Sequence, residues 1–348
     1  MGSKTGIVKD EIFLQHKTGD YHPESHQRLE VVYDMLKDED VEGTFEVLKP
    51  RPATQEELEL NHSSDYISQV AATAGRPFSS LDLDTTTSAQ SWEAAQRAAG
   101  GFLVGIDKVM GGETPNCFAL VRPPGHHAEK SKGMGFCLFN NIAIGARYAR
   151  KKYNLERILI VDWDLHHGNG TQNAFSGDPH VLFFSSHQYP YYPGSGSIGE
   201  VGVGEGKGFT VNVPLPGGQG DEDYAVIYRR LLSPIAEEFK PQLILVSAGY
   251  DIYYNDPLGA MDVTPKGFAI LTSLVMKLAQ SCCEGKMVVT LEGGYHLGGL
   301  RDSVKTTVKE LTGNSVLADP HGEKGLSSTT GRIMEEVRKI QKDFWTCL

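Results

Sequence analysis

The sequence predicts an α/β protein: one three-layer αβα domain built on a mainly parallel central sheet. Two observations carry that prediction. Short runs that are apolar at nearly every position recur along the chain, and amphipathic stretches with helical spacing lie between them. Strands buried on both faces read as continuous apolar runs, and parallel neighbours need helical crossovers to join them. A third observation bears on domain count. No linker-like stretch divides the 348 residues, so 1–348 reads as a single domain, although length alone would allow two.

In chain order, the predicted strands are residues 117–121, 158–161, 181–184, 243–246 and Met287–Leu291. The Gly-rich stretch 194–208 is flanked by sheet-like segments and reads as an internal loop. Tyr224, Tyr228, Leu231, Leu232, Ile235 and Phe239 form a helical stripe interrupted by Pro234, where a kink or break is expected. Phe268, Leu271, Val275 and Leu278 form another, with Thr264 as N-cap and Pro265 in the first helical position. Residues 312–328 read as a long loop. Ile333, Val337, Ile340 and Phe344 then mark a C-terminal helix docked on the body.

Composition excludes several classes. A net charge of −11 argues against non-specific nucleic-acid binding and is compatible with a cationic substrate. No uninterrupted apolar stretch is long enough for a membrane span, and the N-terminus lacks the apolar core of a secretory signal, so a cytoplasmic location is expected, with nuclear or organellar sites left open. MGSKTG superficially fits a myristoylation pattern; a chance N-terminus is the simpler reading. Five cysteines without a CxxC pair argue for reduced thiols rather than a zinc ribbon or thioredoxin-like motif.

Three predicted strands end in chemistry-bearing residues. RILIV runs into Asp162, Asp164, His166 and His167; LILVSAGY leads to Asp251; MVVTLEGG leads to Tyr295. Ligands bind beyond the carboxyl ends of strands in open parallel sheets, so these ends can converge. Asp164 and His166 are two apart and point to one side of an extended segment. With Asp251 they would make an open three-ligand site suited to zinc, with iron or manganese possible, rather than a closed structural one. The plainer alternative is that each is a cap or turn residue. RPPGHH adds His126 and His127 on a rigid approach, a general base and an electrostatic partner for hydrolysis. Gly293 and Gly294 permit a loop that presents the Tyr295 phenol to a carbonyl; alone, GGY would read as a core tyrosine.

The motifs RPPGHHAE, GFCLFNNIAI, DWDLHHGNGTQ, SSHQYPYYPGSG, SAGYDIYYNDPLG and LEGGYHL together resemble the histone deacetylase and acetylpolyamine amidohydrolase family of the arginase/deacetylase fold. They span about 122–297, with weaker similarity from His22 and Pro23. The EGGY loop and Asn169, in place of an aspartate, resemble its class II branch. The resemblance implies zinc on Asp164, His166 and Asp251, one ion per chain. It implies His127 as general base, His126 as electrostatic or proton-donating partner, Asp162 and Asn169 orienting them, and Tyr295 polarising the carbonyl. Tyrosine rather than histidine at 295 implies catalytic competence.

The resemblance also implies Phe136 and Tyr192 as tunnel walls, the Gly135 carbonyl as acceptor for the substrate amide, Leu258 at a gatekeeper position and, on a looser match, Asp84 at the rim. A potassium site would draw on Asp162, Asp164, His166, Ser185 and Ser186, and a second would lie near Phe175 and Val181. Arg28 resembles an arginine near an internal acetate channel, with a salt-bridged helix residue as the alternative. His167 and His187 receive no role. Asp256 reads as structural, or as a second metal ligand in a binuclear relative. The implied reaction is removal of acetyl or other acyl groups from lysine in proteins or peptides. The alternatives are an acetylpolyamine or small-molecule amidohydrolase, a binuclear manganese ureohydrolase and a non-catalytic acyl-lysine binding protein. Oligomeric state is not legible.

Overall fold

The computed structural model describes residues 4–317 and 327–348. Residues 1–3 of the N-terminal motif and 318–326 of the expected loop lie outside them. The strands are β1 (Thr5–Val8), β2 (Phe45–Leu48), β3 (Ser79–Ser80), β4 (Thr86–Thr87), β5 (Asn116–Ala119), β6 (Ile158–Asp162), β7 (Val181–Gln188), β8 (Thr210–Leu215), β9 (Leu243–Ala248) and β10 (Met287–Leu291). Eight of them form one sheet in the order β2-β1-β5-β10-β9-β6-β7-β8, and every neighbouring pair is parallel. β3 and β4 make a small antiparallel pair.

The five expected strands are all present, and β6, β7 and β9 run one to four residues further than their apolar runs. Most of the extra residues are polar and buried, namely Asp162, Ser185 to His187 and Ser247, with the half-buried Gln188 and the apolar Ala248 closing β7 and β9. Apolarity marks the middle of these strands, whereas their ends enter the site. β1, β2 and the helix Ser91–Met110 escape the sequence pattern. That helix is rich in alanine and glycine because neighbours approach its backbone. A Cβ on Gly100 would lie 2.0 Å from the Arg51 carbonyl oxygen, and one on Gly105 would lie 2.8 Å from Cys117 Sγ.

The stripe from Tyr224 to Phe239 is buried as expected. Pro234 does not break it. The helix Asp221–Ile227 passes through a π-turn, Tyr228–Leu232, into the helix Ser233–Phe239 with the proline in its first turn. Proline removes one intrahelical donor, and the Arg230 carbonyl four residues back accepts instead from Arg338 of the C-terminal helix (3.3 Å). Thr264 occupies the N-cap of the helix Pro265–Cys283, but its hydroxyl does not cap. It donates to Asp221 Oδ2 (2.7 Å), and the Thr264 N–H donates to Oδ1 of the same carboxylate (2.7 Å), tying two helix starts together. The helix Ser328–Gln341 docks beside β8, with Gln341 donating to the Thr210 carbonyl (3.0 Å) and Trp345 to that of Gly208 (3.0 Å). Its buried residues are Thr330, Met334, Val337 and Gln341, while Ile333, Ile340 and, just beyond it, Phe344 are partly buried. No helix among the described residues is long and apolar enough to cross a membrane.

Candidate active site

The carboxyl ends of β6, β9 and β10 are neighbours in the sheet. Asp162 pairs in register with Ser247 on β9 and Ser185 on β7, and Leu291 pairs with Ala248. Segments far apart in the chain therefore discharge into one crevice.

Asp164, His166 and Asp251 meet there. One ligand atom from each lies within 4.8 Å of the others, and all three residues are buried. His166 Nδ1 sits 3.2 Å from Asp164 Oδ1 and 3.0 Å from Asp251 Oδ2. The site is shaped around these carboxylates. A Cβ on Gly293 would stand 2.3 Å from Asp251 Oδ2, and one on Gly249 would stand 2.1 Å from Asp164 Oδ2. Two buried carboxylates and one imidazole, converging and open toward a cavity, fit a divalent cation in both charge and donor type. Burial and the Asp164 carboxylate raise the pKa of Asp251.

The paired histidines are held differently. His126 Nδ1 donates to Asp162 Oδ2 (3.0 Å), and its Nε2 lies 3.8 Å from Asp164 Oδ1. Burial opposes its charge, but Asp164 and Asp162 overcome this and push its pKa up to about 10. His127 Nδ1 lies 2.8 Å from Asn169 Oδ1. The Asn169 amide is oriented by Glu129, whose Oε1 accepts from Nδ2 at 2.7 Å, so its oxygen faces the imidazole. Nδ1 of His127 is then the protonated nitrogen and Nε2 carries the lone pair. Burial and the charges of His126 and His166 hold its pKa well below the usual histidine range.

A cavity of about 110 Å³ is lined by Asp84, His127, Gly135, Phe136, His166, Tyr192, Leu258 and Tyr295. All five residues expected to contact substrate are in this set. Asp84, the loosest match, has a defined place: its Oδ1 accepts from the Gly135 N–H at 3.0 Å. Gly135 and Phe136 both have positive φ, 57° and 68°. Glycine is required at 135, where a Cβ would lie 2.4 Å from the His127 ring. The Phe136 ring stands edge-on to Tyr295 at 5.9 Å, and Tyr192 is edge-on to His127 at 5.1 Å. Burial, with Asp251 next, pushes the Tyr295 phenol well above its ordinary pKa, so it remains a donor.

Of the residues implied for potassium, Ser185 hydrogen-bonds His187 Nδ1 (2.9 Å) and Ser186 the Tyr228 hydroxyl (3.2 Å). Phe175, which ends the helix Asn169–Phe175, and Val181, which starts β7, are both buried. His167 and His187, left without a role, lie with ring centroids 4.7 Å apart. They hold the loop that carries Tyr192, His167 through Ser195 Oγ (2.8 Å) and His187 through the Gly196 carbonyl (2.9 Å). Arg28 is fully buried; it donates to the Gly294 and Glu292 carbonyls (2.6 and 2.5 Å), pairs with Glu24, and stands 5.0 Å from the Tyr295 ring centroid.

Near the site, Glu292 and His22 had no functional signal in the sequence, and Asp256 had one only as the second metal ligand of a binuclear relative. Glu292 accepts from the N–H groups of Gly125 (2.7 Å) and His126 (3.2 Å), and burial raises its pKa to about 7. His22 packs edge-on against Phe136 at 4.7 Å. Asp256, which read as structural, accepts from Tyr295 and His296. Glu292 could have been suspected as a charged residue ending an apolar strand; the other two depend on partners far along the chain.

A histone deacetylase domain matches residues 22–311. The chain is 36% identical to a probable deacetylase of Archaeoglobus fulgidus, covering 99% of both sequences. It is 40% identical to the Danio rerio protein named polyamine deacetylase HDAC10, covering 99% of this chain and 53% of that relative, and 39% identical to histone deacetylase 5 of Arabidopsis thaliana, covering 99% of this chain and 54% of that relative. The chain therefore spans about half the length of those two proteins. The crystal structure of an HDA15 HD domain superposes with a TM-score of 0.93 at 37% identity, over 99% of this chain and 96% of that one.

Proposed function

The chain belongs to the histone deacetylase family, and from that premise we propose that it is a zinc-dependent hydrolase that removes acetyl or other acyl groups from the ε-amine of lysine in proteins or peptides. One observation carries the reading. A base-competent imidazole, a phenol and His166 of a buried Asp-His-Asp group line the same cavity between two aromatic walls.

Asp164, His166 and Asp251 would hold the zinc, which when bound would polarise the acyl carbonyl and ease deprotonation of water. Phe136 and Tyr192 grip the aliphatic stem of the side chain, and the Gly135 carbonyl accepts the amide N–H of the substrate. His127 Nε2 takes the proton of the attacking water, because Asn169 has placed the ring proton on Nδ1. Tyr295 donates its hydroxyl proton in a hydrogen bond to the oxyanion. His126, kept cationic by Asp162 and Asp164, supplies positive charge beside the reaction, and a protonated histidine of the pair delivers the proton to the departing amine. Water adds across the amide, giving a carboxylate and a free amine.

The second reading, an acetylated small amine as substrate, is favoured by the Danio rerio relative named as a polyamine deacetylase. Leu258 weighs against it, since an apolar side chain lining the cavity offers no charge to a distant ammonium group. A turnover panel of acetyl-lysine peptides, longer acyl-lysines and acetylspermidine at equal zinc loading decides the matter. Turnover of acetyl-lysine peptides supports the reading, and turnover of acetylspermidine alone overturns the choice of substrate. One zinc per chain is expected; two manganese ions would mark a ureohydrolase-type centre instead.

A further inference from the structure

Tyr295 follows two glycines, and Gly294 has a φ of +117° that side-chain-bearing residues rarely adopt. Such a loop has little conformational preference of its own. Its hydrogen bonds show what holds it. Arg28 takes the carbonyls of Glu292 and Gly294, and the Tyr250 N–H donates to the Gly293 carbonyl at 3.0 Å. The donors that follow converge on one side chain: Asp256 Oδ2 accepts from the N–H groups of Tyr295 (2.6 Å) and His296 (3.0 Å). Its other oxygen, Oδ1, accepts from the Leu258 N–H at 3.0 Å. Asp256 is buried. One carboxylate thus fastens the backbone of the phenol donor to the backbone of Leu258, and both Tyr295 and Leu258 line the cavity.

We propose that Asp256 is the positioning residue of Tyr295: by bridging the Leu258 and Tyr295 backbones it sets where the phenol hydroxyl stands over the substrate carbonyl. The inference rests on the proposed role of Tyr295. A carboxylate is needed because three N–H groups surround it. An asparagine amide offers one acceptor oxygen and a second end that is itself a donor. Whichever way it turns, it opposes a donor to either Leu258 or the Tyr295–His296 pair. Asp256 touches no reacting atom, so its effect must pass through Tyr295.

The test is a double-mutant cycle with Asp256→Asn and Tyr295→Phe, supported by hydrogen exchange. A trifluoroacetyl-lysine peptide serves as substrate, because its electron-poor carbonyl depends less on a phenol donor and keeps the weak variants measurable. In the native background, Asp256→Asn is expected to lower kcat and kcat/KM together by roughly 10- to 100-fold. In the Tyr295→Phe background it is expected to cost less than about threefold, since the group it positions is gone. In protein without added metal, deuterium uptake in the segment 292–297 is expected to rise in Asp256→Asn while β6 is unchanged. Losses that multiply, or unchanged uptake in 292–297, overturn the inference. Native turnover in Tyr295→Phe alone would instead overturn the proposed mechanism beneath it. If Asp256→Asn does not fold, Asp256→Glu carries the same cycle, as it keeps two acceptor oxygens but displaces them by a methylene.

Discussion

His126 and His127 are adjacent in the chain, with ring centroids 4.0 Å apart, yet their partners drive them to opposite protonation states. A carboxylate partner, Asp162, favours the imidazolium, and an amide partner, Asn169, leaves a neutral ring with a lone pair to offer. Tyr295 completes the set as a protonated phenol. Tyr295→Phe is therefore expected to reduce kcat by about 10²–10³-fold, the usual cost of one oxyanion donor, while metal content by atomic absorption stays unchanged. Loss of metal in that variant would place the phenol in metal retention rather than in the reaction. His62 gives a second prediction. Its ring satisfies both nitrogens only when neutral, with Nδ1–H donating to the Glu129 carbonyl (3.0 Å) and Nε2 accepting from Asn140 N–H (2.9 Å). Burial lowers its pKa from 6.5 to about 4. As pH falls the unfolded chain takes the proton first. The stabilisation is complete above pH 6.5 and drains away toward about pH 4, on the order of 3 kcal/mol. His62→Gln should flatten the dependence of urea unfolding on pH across that range; an unchanged slope would remove His62 from the account.

Among the elements, the helices stabilise the sheet while the strand ends carry the chemistry. The C-terminal helix Ser328–Gln341 shows this separation. Ser327 caps it by accepting from the Thr330 N–H (3.1 Å) and also donates to Gln219 Oε1 (2.9 Å). Ser327→Ala is expected to cost about 1 kcal/mol of stability in a denaturant titration and to leave kcat/KM alone. A drop in turnover at full folding would show that this helix reaches the site. The Ser91–Met110 helix was hidden for a related reason: much of its buried face is alanine and glycine that let other segments approach, and its large buried apolar residues, Phe102, Leu103, Ile106 and Val109, are confined to the second half. The π-turn before Pro234 was equally hidden. Whether a proline breaks a helix depends on what satisfies the freed carbonyl, here Arg338, over a hundred positions later.

At the scale of the whole molecule, the proposed metal couples site and stability. The ligand set joins the ends of β6 and β9, so a bound ion crosslinks segments 85 positions apart. Removing metal with a chelator should lower Tm. Restoring zinc at a hundredfold excess over its Kd should stabilise the fold by about 3 kcal/mol, and a Tm indifferent to chelation would argue that the Asp-His-Asp group holds no ion.

Strand cores, helical stripes, the paired histidines and the Asp-x-His spacing were readable along the chain because each depends on residues a few positions apart. Asp162, Asp164 and His166 announced themselves by interrupting an apolar run, and the family motifs then attached roles to them. What the chain alone could not show was which distant atoms would meet. The turn between β3 and β4 seats Asp84 against Gly135, and the parallel order β10-β9-β6-β7 brings Asp251 to His166. It also turns Asp256 from an acidic loop residue into the clasp between Leu258 and Tyr295. Residue types and local spacing determined the chemistry available. Where each donor and acceptor stands was decided by packing, because hydrogen bonds act over about 3 Å and respond to position in space rather than order in the chain.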